Sequence, residues 1–235
     1  MNKRALKADY GNWVPKKLLY VPGTLSAICT VLSIKFWWLG FFAAVFLVCF
    51  AYFVYARWYF APKGKNLQQR IQSLILEHLD WDGSGKALDI GCGSGALTIG
   101  IAKNYSNVYV TGVDYWGGTW EYSKGMCERN ATIEGVKHRV TFLQASASSL
   151  PFDDKTFDVV ISNLTFHEVA DSKDKRLPIK EALRVLRNGG VFVFQDLFLW
   201  QRLFGTREDL LDLIKKWGVE RVADSKSLPP HALGT

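Results

Sequence analysis

Three glycines at alternate positions, Gly91, Gly93 and Gly95, end an apolar run in "ALDIGCGSGALTIG" and lead directly into a helical pattern. Glycine admits backbone conformations closed to other residues and lets a ligand lie against the main chain. Two phosphate-binding patterns fail here: the dinucleotide fingerprint needs its last glycine one place later, and the P-loop needs a Gly-Lys-Ser/Thr ending. Asp89, just upstream, opposes a pyrophosphate but suits an ammonium group. Asp114, in "VTGVDYW", follows the loop by about 20 residues, the spacing at which a carboxylate accepts from ribose hydroxyls. The set describes a nucleoside with a cationic tail. His167, in "NLTFHEV", has the pKa range of a general base, with Glu168 beside it. A hydrogen-bonded structural histidine is the plain alternative. Cys92 reads as a small loop residue, since nothing basic adjoins it, and Asp153-Asp154 reads as a solvated turn. Gln195 and Asp196 either face a substrate or cap the next turn, with the cap preferred.

These residues need a scaffold that gathers them. After the turn-rich Asp82-Gly83-Ser84-Gly85, apolar β-type runs over 87–90, 108–114, 140–143, 159–162 and 191–195 alternate with helical patterns over 96–103, 119–130 and 180–187. Asn188-Gly189-Gly190 is expected to close the last helix as a C-cap. Such alternation implies an α/β, Rossmann-like fold, a mostly parallel sheet with helices on both faces, and ligands beyond the carboxyl ends of the strands.

Here the sequence resembles the class I S-adenosylmethionine-dependent methyltransferases, nearest their quinone- and sterol-methylating group, from about residue 67 onward. The resemblance rests on Asp89 to Gly95, on Asp114, on "SSLPFDDKTFDVVISNLTFHEV" from Ser148, and on "LRVLRNGGVFVF" from Leu183, in that order and spacing. It implies S-adenosylmethionine as cofactor. Gly91, Cys92, Gly93 and Gly95 would then approach its methionine portion, Asp89 its amino group, Asp114 its ribose and Tyr115 its adenine. Asn163 would line the pocket near the methionine chain. The family's usual Asp for the adenine amine is Ser146 here, followed by Ala147. The family's sheet also ends in an antiparallel hairpin after a helix expected over 207–217, whereas only residues 219–225 offer a strand.

Two apolar runs precede this domain, over 18–34 and 36–56, the second 21 residues without charge. About 20 helical residues cross a bilayer, so a helical transmembrane hairpin over 18–60 is expected, with a re-entrant form as the variant. A signal peptide competes poorly, for lack of a small-residue cleavage site. Residues 1–17 and 57–70 carry +4 each and Lys35 one more, which leaves residues 71–235 two charges negative. Positive flanks favour anionic lipid and a cytoplasmic side for both termini. No nucleic-acid footprint falls on the globular part. The expected order is a basic cytosolic arm over 1–17, the hairpin, a linker and amphipathic helix over 61–80, and a methyltransferase domain over 81–235. Asn66 is expected to cap that amphipathic helix. Cys29, Cys49, Cys92 and Cys127 lack paired or metal-ligand spacing, so no metal is expected and the thiols are read as reduced.

A tether to membrane lipids favours an apolar small-molecule acceptor drawn from the cytosolic leaflet. The expectation is an integral protein of the cell membrane with its catalytic domain in the cytoplasm. Phe198-Leu199-Trp200 and Phe204 either rest on the membrane or fill core, with core preferred. A membrane-proximal protein methyltransferase and a non-catalytic cofactor-binding scaffold are the alternatives. "SNLT" at 162–165 stands where amide and exocyclic-amine methylating enzymes carry Asn-Pro-Pro-Tyr.

Overall fold

The computed structural model describes residues 6–117 and 121–222. Helices α1 (Lys17–Ser33), α2 (Leu39–Phe60) and α3 (Leu67–Glu77) precede an alternating α/β unit. Its elements are β1 (Ser84–Ile90), α4 (Ala96–Asn104), β2 (Asn107–Asp114), α5 (Lys124–Ile133), β3 (Val140–Gln144), β4 (Phe157–Asn163), α6 (Leu177–Val185), β5 (Leu186–Gln195), α7 (Gln201–Phe204) and α8 (Arg207–Lys216). The sheet order is β3-β2-β1-β4-β5 and every pair is parallel. Side chains alternate across a strand, and both faces are apolar. Leu88, Ile90, Val113 and Val160 pack with Ile179 and Ala182 of α6 and with Leu210 and Ile214 of α8. On the other face Ala87, Val108, Val159 and Ile161 pack with Ile75 of α3, Ile101 of α4 and Ala131 of α5. The strand order reverses between β1 and β4, which opens a crevice at their carboxyl ends.

Three local readings need correction. Asn188-Gly189-Gly190 does not cap a helix: α6 ends at Val185, Leu186 is already extended, and the glycines lie within β5. There the strand bulges, because Phe157 pairs with Leu186 while Val159 pairs with Val191. A Cβ at Gly190 would stand 2.8 Å from Asp158 O, so its glycine serves strand approach. Asn66 occupies the N-cap position of α3 with φ 55°, but its side chain makes no capping bond and its Nδ2 donates to Gln69 Oε1 instead. The helix expected from 119 begins at Lys124, where Ser123 Oγ accepts from Met126 N; residues 118–120 lie outside the described residues. The helix expected over 207–217 forms as α8, behind a capping box of Thr206 and Asp209. Among the described residues no strand follows β5, and the one expected over 219–225 reaches past them.

Helices α1 and α2 pack side by side, with Ser26 Oγ donating to Ala43 O at 2.9 Å. Pro22 lies inside α1 without ending it. Helix α2, with 22 residues, is long and apolar enough to cross a membrane, whereas α1 is an apolar helix of 17. Val31, Phe41 and Val48 are exposed by 66%, 70% and 70%. The N-terminal arm is no free tether. Asp9 and Asn130 exchange hydrogen bonds of 3.0 and 2.7 Å, Trp13 N donates to Gln68 Oε1, and Lys16 N donates to Glu121 Oε1. Arg57, at the end of α2, donates to Val14 O and accepts from Asn12 Nδ2. Arm, hairpin base and α/β unit are thus joined.

Candidate active site

A cavity of about 750 Å³ opens at the carboxyl ends of β1, β2 and β4. The glycine loop forms its floor. Gly91 has φ +76°, and a Cβ there would stand 1.9 Å from Thr165 Oγ1, so no larger residue fits the turn. Gly93 N donates to Asp114 Oδ2 at 2.8 Å, while Trp116 N donates to Asp114 Oδ1 at 2.7 Å and its indole to Gly93 O at 2.9 Å. Asp114 thereby locks the loop to the end of β2. A carboxylate has about four acceptor positions, so two remain for a ligand's hydroxyls.

Asp89, at 1% exposure, accepts from Thr98 N at 3.0 Å and Thr98 Oγ1 at 2.6 Å. Burial pushes its carboxyl up to about 7, against the pull of the Thr98 bonds and with a further push from Asp114. Among the described residues no Lys, Arg or His forms a salt bridge with either acid. Two carboxylates in one cavity without a counter-ion make a place for a cation, and S-adenosylmethionine, with its ammonium and ribose beside a bare backbone, fits it.

Cys92, Tyr115, Ser146, Ala147, Asn163, His167 and Glu168 all border the same cavity. Gly95 does not: with φ +81° it starts α4 and faces Phe142, which makes it a turn residue. Cys92 is no nucleophile, because burial pushes its thiol well up, as do Cys127 and the Asp89 charge. Tyr115 is 69% exposed at the rim. Asn163 Oδ1 accepts from Gln195 Nε2, which also donates to Ile71 O and so ties α3 over the pocket.

The sequence missed the residue that organises His167. Asp196 is no mere cap: its side chain is fully buried, it accepts from Phe166 N and Leu197 N, and its Oδ1 stands 2.6 Å from His167 Nδ1. A carboxylate only accepts, so Nδ1 carries the proton and Nε2 presents a lone pair. Burial of the ring opposes its charging, but the Asp196 bond and charge prevail and the pKa is raised. Glu168 Oε1 lies 3.7 Å from Nε2. Trp116 and Trp13 also went unforeseen, and both line the cavity. Phe198 and Phe204 pack in the core, while Leu199 and Trp200 are 95% and 59% exposed.

A parallel sheet of this order, with a glycine loop after β1 and an acid ending β2, is a Rossmann-like arrangement with its cavity at the carboxyl ends of the strands. Residues 88–194 match the family described as "Methyltransferase domain". Over 109 residues the chain is 36% identical to a demethylmenaquinone methyltransferase of Staphylococcus aureus, covering 46% of this chain and 41% of that protein. An uncharacterized protein of Haemophilus influenzae is 30% identical over 114 residues, 48% of this chain and 43% of the other. The chain thus spans less than half the length of these curated relatives. The crystal structure of the [4+2]-cyclase SpnF superposes with a TM-score of 0.52 at 26% identity, covering 63% of this chain and 56% of that one.

Proposed function

We propose that the protein is an S-adenosylmethionine-dependent methyltransferase that acts on an apolar, lipid-like acceptor at the cytoplasmic face of a membrane. One observation carries the reading: Asp89 and Asp114 border one cavity beside the glycine loop, and among the described residues no Lys, Arg or His forms a salt bridge with either. Bound there, the cofactor supplies a methyl group activated by a sulfonium. Asp89 holds its ammonium and Asp114 its ribose, while Gly91 and Gly93 leave room for the chain between. Alignment and exclusion of water are the main demands of such a displacement. His167, oriented by Asp196, takes a proton from an acceptor hydroxyl or similar group, which converts it into a nucleophile.

The hairpin supports a membrane setting. Helix α2 is about 33 Å long at ~1.5 Å per residue, against roughly 30 Å of hydrocarbon. Basic residues flank both ends of the hairpin, so its two ends lie in the cytoplasm, as in an integral protein of the cell membrane. The demethylmenaquinone methyltransferase relative fits an apolar acceptor. Incubating the full-length protein with methyl-labelled S-adenosylmethionine and membrane extract tests the reading. Label in the organic phase is expected. Label confined to precipitated protein favours a protein substrate, and no transfer at all overturns the enzyme reading.

A further inference from the structure

The cavity corner built by Ala145, Ser146 and Ala147 lacks the carboxylate expected for an adenine amine, yet the structure returns one to it from elsewhere. Beyond the turn Phe166–Glu168 the chain folds back and brings Asp171 to the same wall. Ser146 Oγ donates to Asp171 Oδ1 at 3.0 Å and Ser148 Oγ to Oδ2 at 2.7 Å, and Ser146 Oγ accepts from Ser148 N at 3.2 Å. Each hydroxyl has a single proton, and both protons go to the carboxylate. The serines therefore act as a clamp, and the charge at this corner belongs to Asp171. Their bonds, that of Ser148 foremost, lower its pKa, so it is anionic at neutral pH and accepts only. Lys175, the cation that influences it, donates to Val169 O.

We propose that Asp171, clamped by Ser146 and Ser148, accepts from the exocyclic amine of the cofactor's adenine and so selects a 6-amino purine over a 6-oxo purine. The inference rests on the nucleoside reading of the cavity. An amine offers protons to the carboxylate, whereas a 6-oxo group turns lone pairs toward it. Each carboxylate oxygen takes one bond from a serine, and a carboxylate with about four acceptor positions keeps capacity for an amine.

The test is calorimetric titration of the full-length protein in detergent with S-adenosylhomocysteine and with S-inosylhomocysteine. The wild-type protein should prefer the adenosyl compound by about tenfold or more, the worth of a hydrogen bond to a charged group. In Asp171→Ala adenosyl affinity should fall by about that factor, with inosyl affinity little changed, so the preference collapses. Asp171→Asn, which keeps the shape and adds a donor, should narrow the preference by strengthening inosyl binding. An undiminished preference in Asp171→Ala overturns the proposal alone. A wild-type protein that binds neither compound overturns the nucleoside reading, and the proposal with it.

Discussion

Asp89→Asn should make the protein more stable above neutral pH while impairing its ligand binding. The side chain is buried against Thr98, and an Asn carbonyl can accept both Thr98 bonds. The amide then turns toward the cavity. In the folded protein burial pushes the Asp89 carboxyl up to about 7, against an unfolded value of ~3.9. The folded state therefore holds this proton across a window where the unfolded chain has lost it. Stability falls as pH rises from about 4 to about 7 and levels off above, by roughly 4 kcal/mol in all at ~1.36 kcal/mol per unit. Between pH 5.5 and 8 the share is about 2 kcal/mol, equivalent to ~4–8 °C for a domain of this size. Thermal unfolding of both proteins in one detergent, followed by near-UV circular dichroism, reads the difference. The gap favouring the Asn protein should widen by that amount from pH 5.5 to pH 8, and its affinity for S-adenosylhomocysteine should fall by about tenfold or more for want of the ion pair. A gap independent of pH, or unaltered affinity, would refute the placing of this acid as an unpaired anion awaiting a cation.

His167→Ala should lower turnover by about 10²–10⁴-fold while calorimetry finds cofactor affinity almost unchanged. Because Asp196 raises the His167 pKa, the base form dominates only above the usual histidine range, so turnover should rise with pH through a value above ~6.5. Asp196→Asn should shift that limb to lower pH, and an unmoved limb counts against the dyad. Asp114→Ala removes the acceptor of Gly93 N and Trp116 N along with the proposed ribose contact; S-adenosylhomocysteine should bind about 10–100-fold more weakly. Trp13→Ala, which opens the cavity wall contributed by the arm, should raise the KM for the acceptor and leave cofactor affinity intact in the same titration.

The fold was legible where its signals are local. Apolar runs placed the first four strands to within three residues and the second half of β5, and Gly91 and Gly93 announced a close backbone approach through their spacing. Asn188-Gly189-Gly190 misled because glycine after a helical pattern serves a C-cap and a bulge equally well, and only the approach of Gly190 to Asp158 O separates the two. The site was legible for Asp89 and Asp114, which belong to strand ends. It was not for Asp196, whose partner His167 lies 29 positions away, nor for Asp171, which reaches Ser146 across 25. The arm was the hardest part to read. Asp9 meets Asn130 over a separation of 121 residues, and nothing in a basic stretch of sequence encodes that distance.

That arm bears on how an anchor would serve the chemistry. Trp13 lines the cavity and its ring stands 5.7 Å from that of Phe60, the last residue of α2. The guanidinium of Arg57 and the Val14 carbonyl close the same junction. If the hairpin merely tethered the domain, residues 62–65 would be its leash, and a Gly-Ser insertion there would free the cavity to face any direction. The arm provides a second connection, so such an insertion should leave vesicle-based methylation near the wild-type rate. Arg57→Ala acts on the junction itself and should raise the apparent KM for an acceptor presented in vesicles more than for one presented in detergent, with S-adenosylhomocysteine affinity unchanged. Equal effects in vesicles and detergent would show that Arg57 shapes the cavity without orienting it toward a membrane.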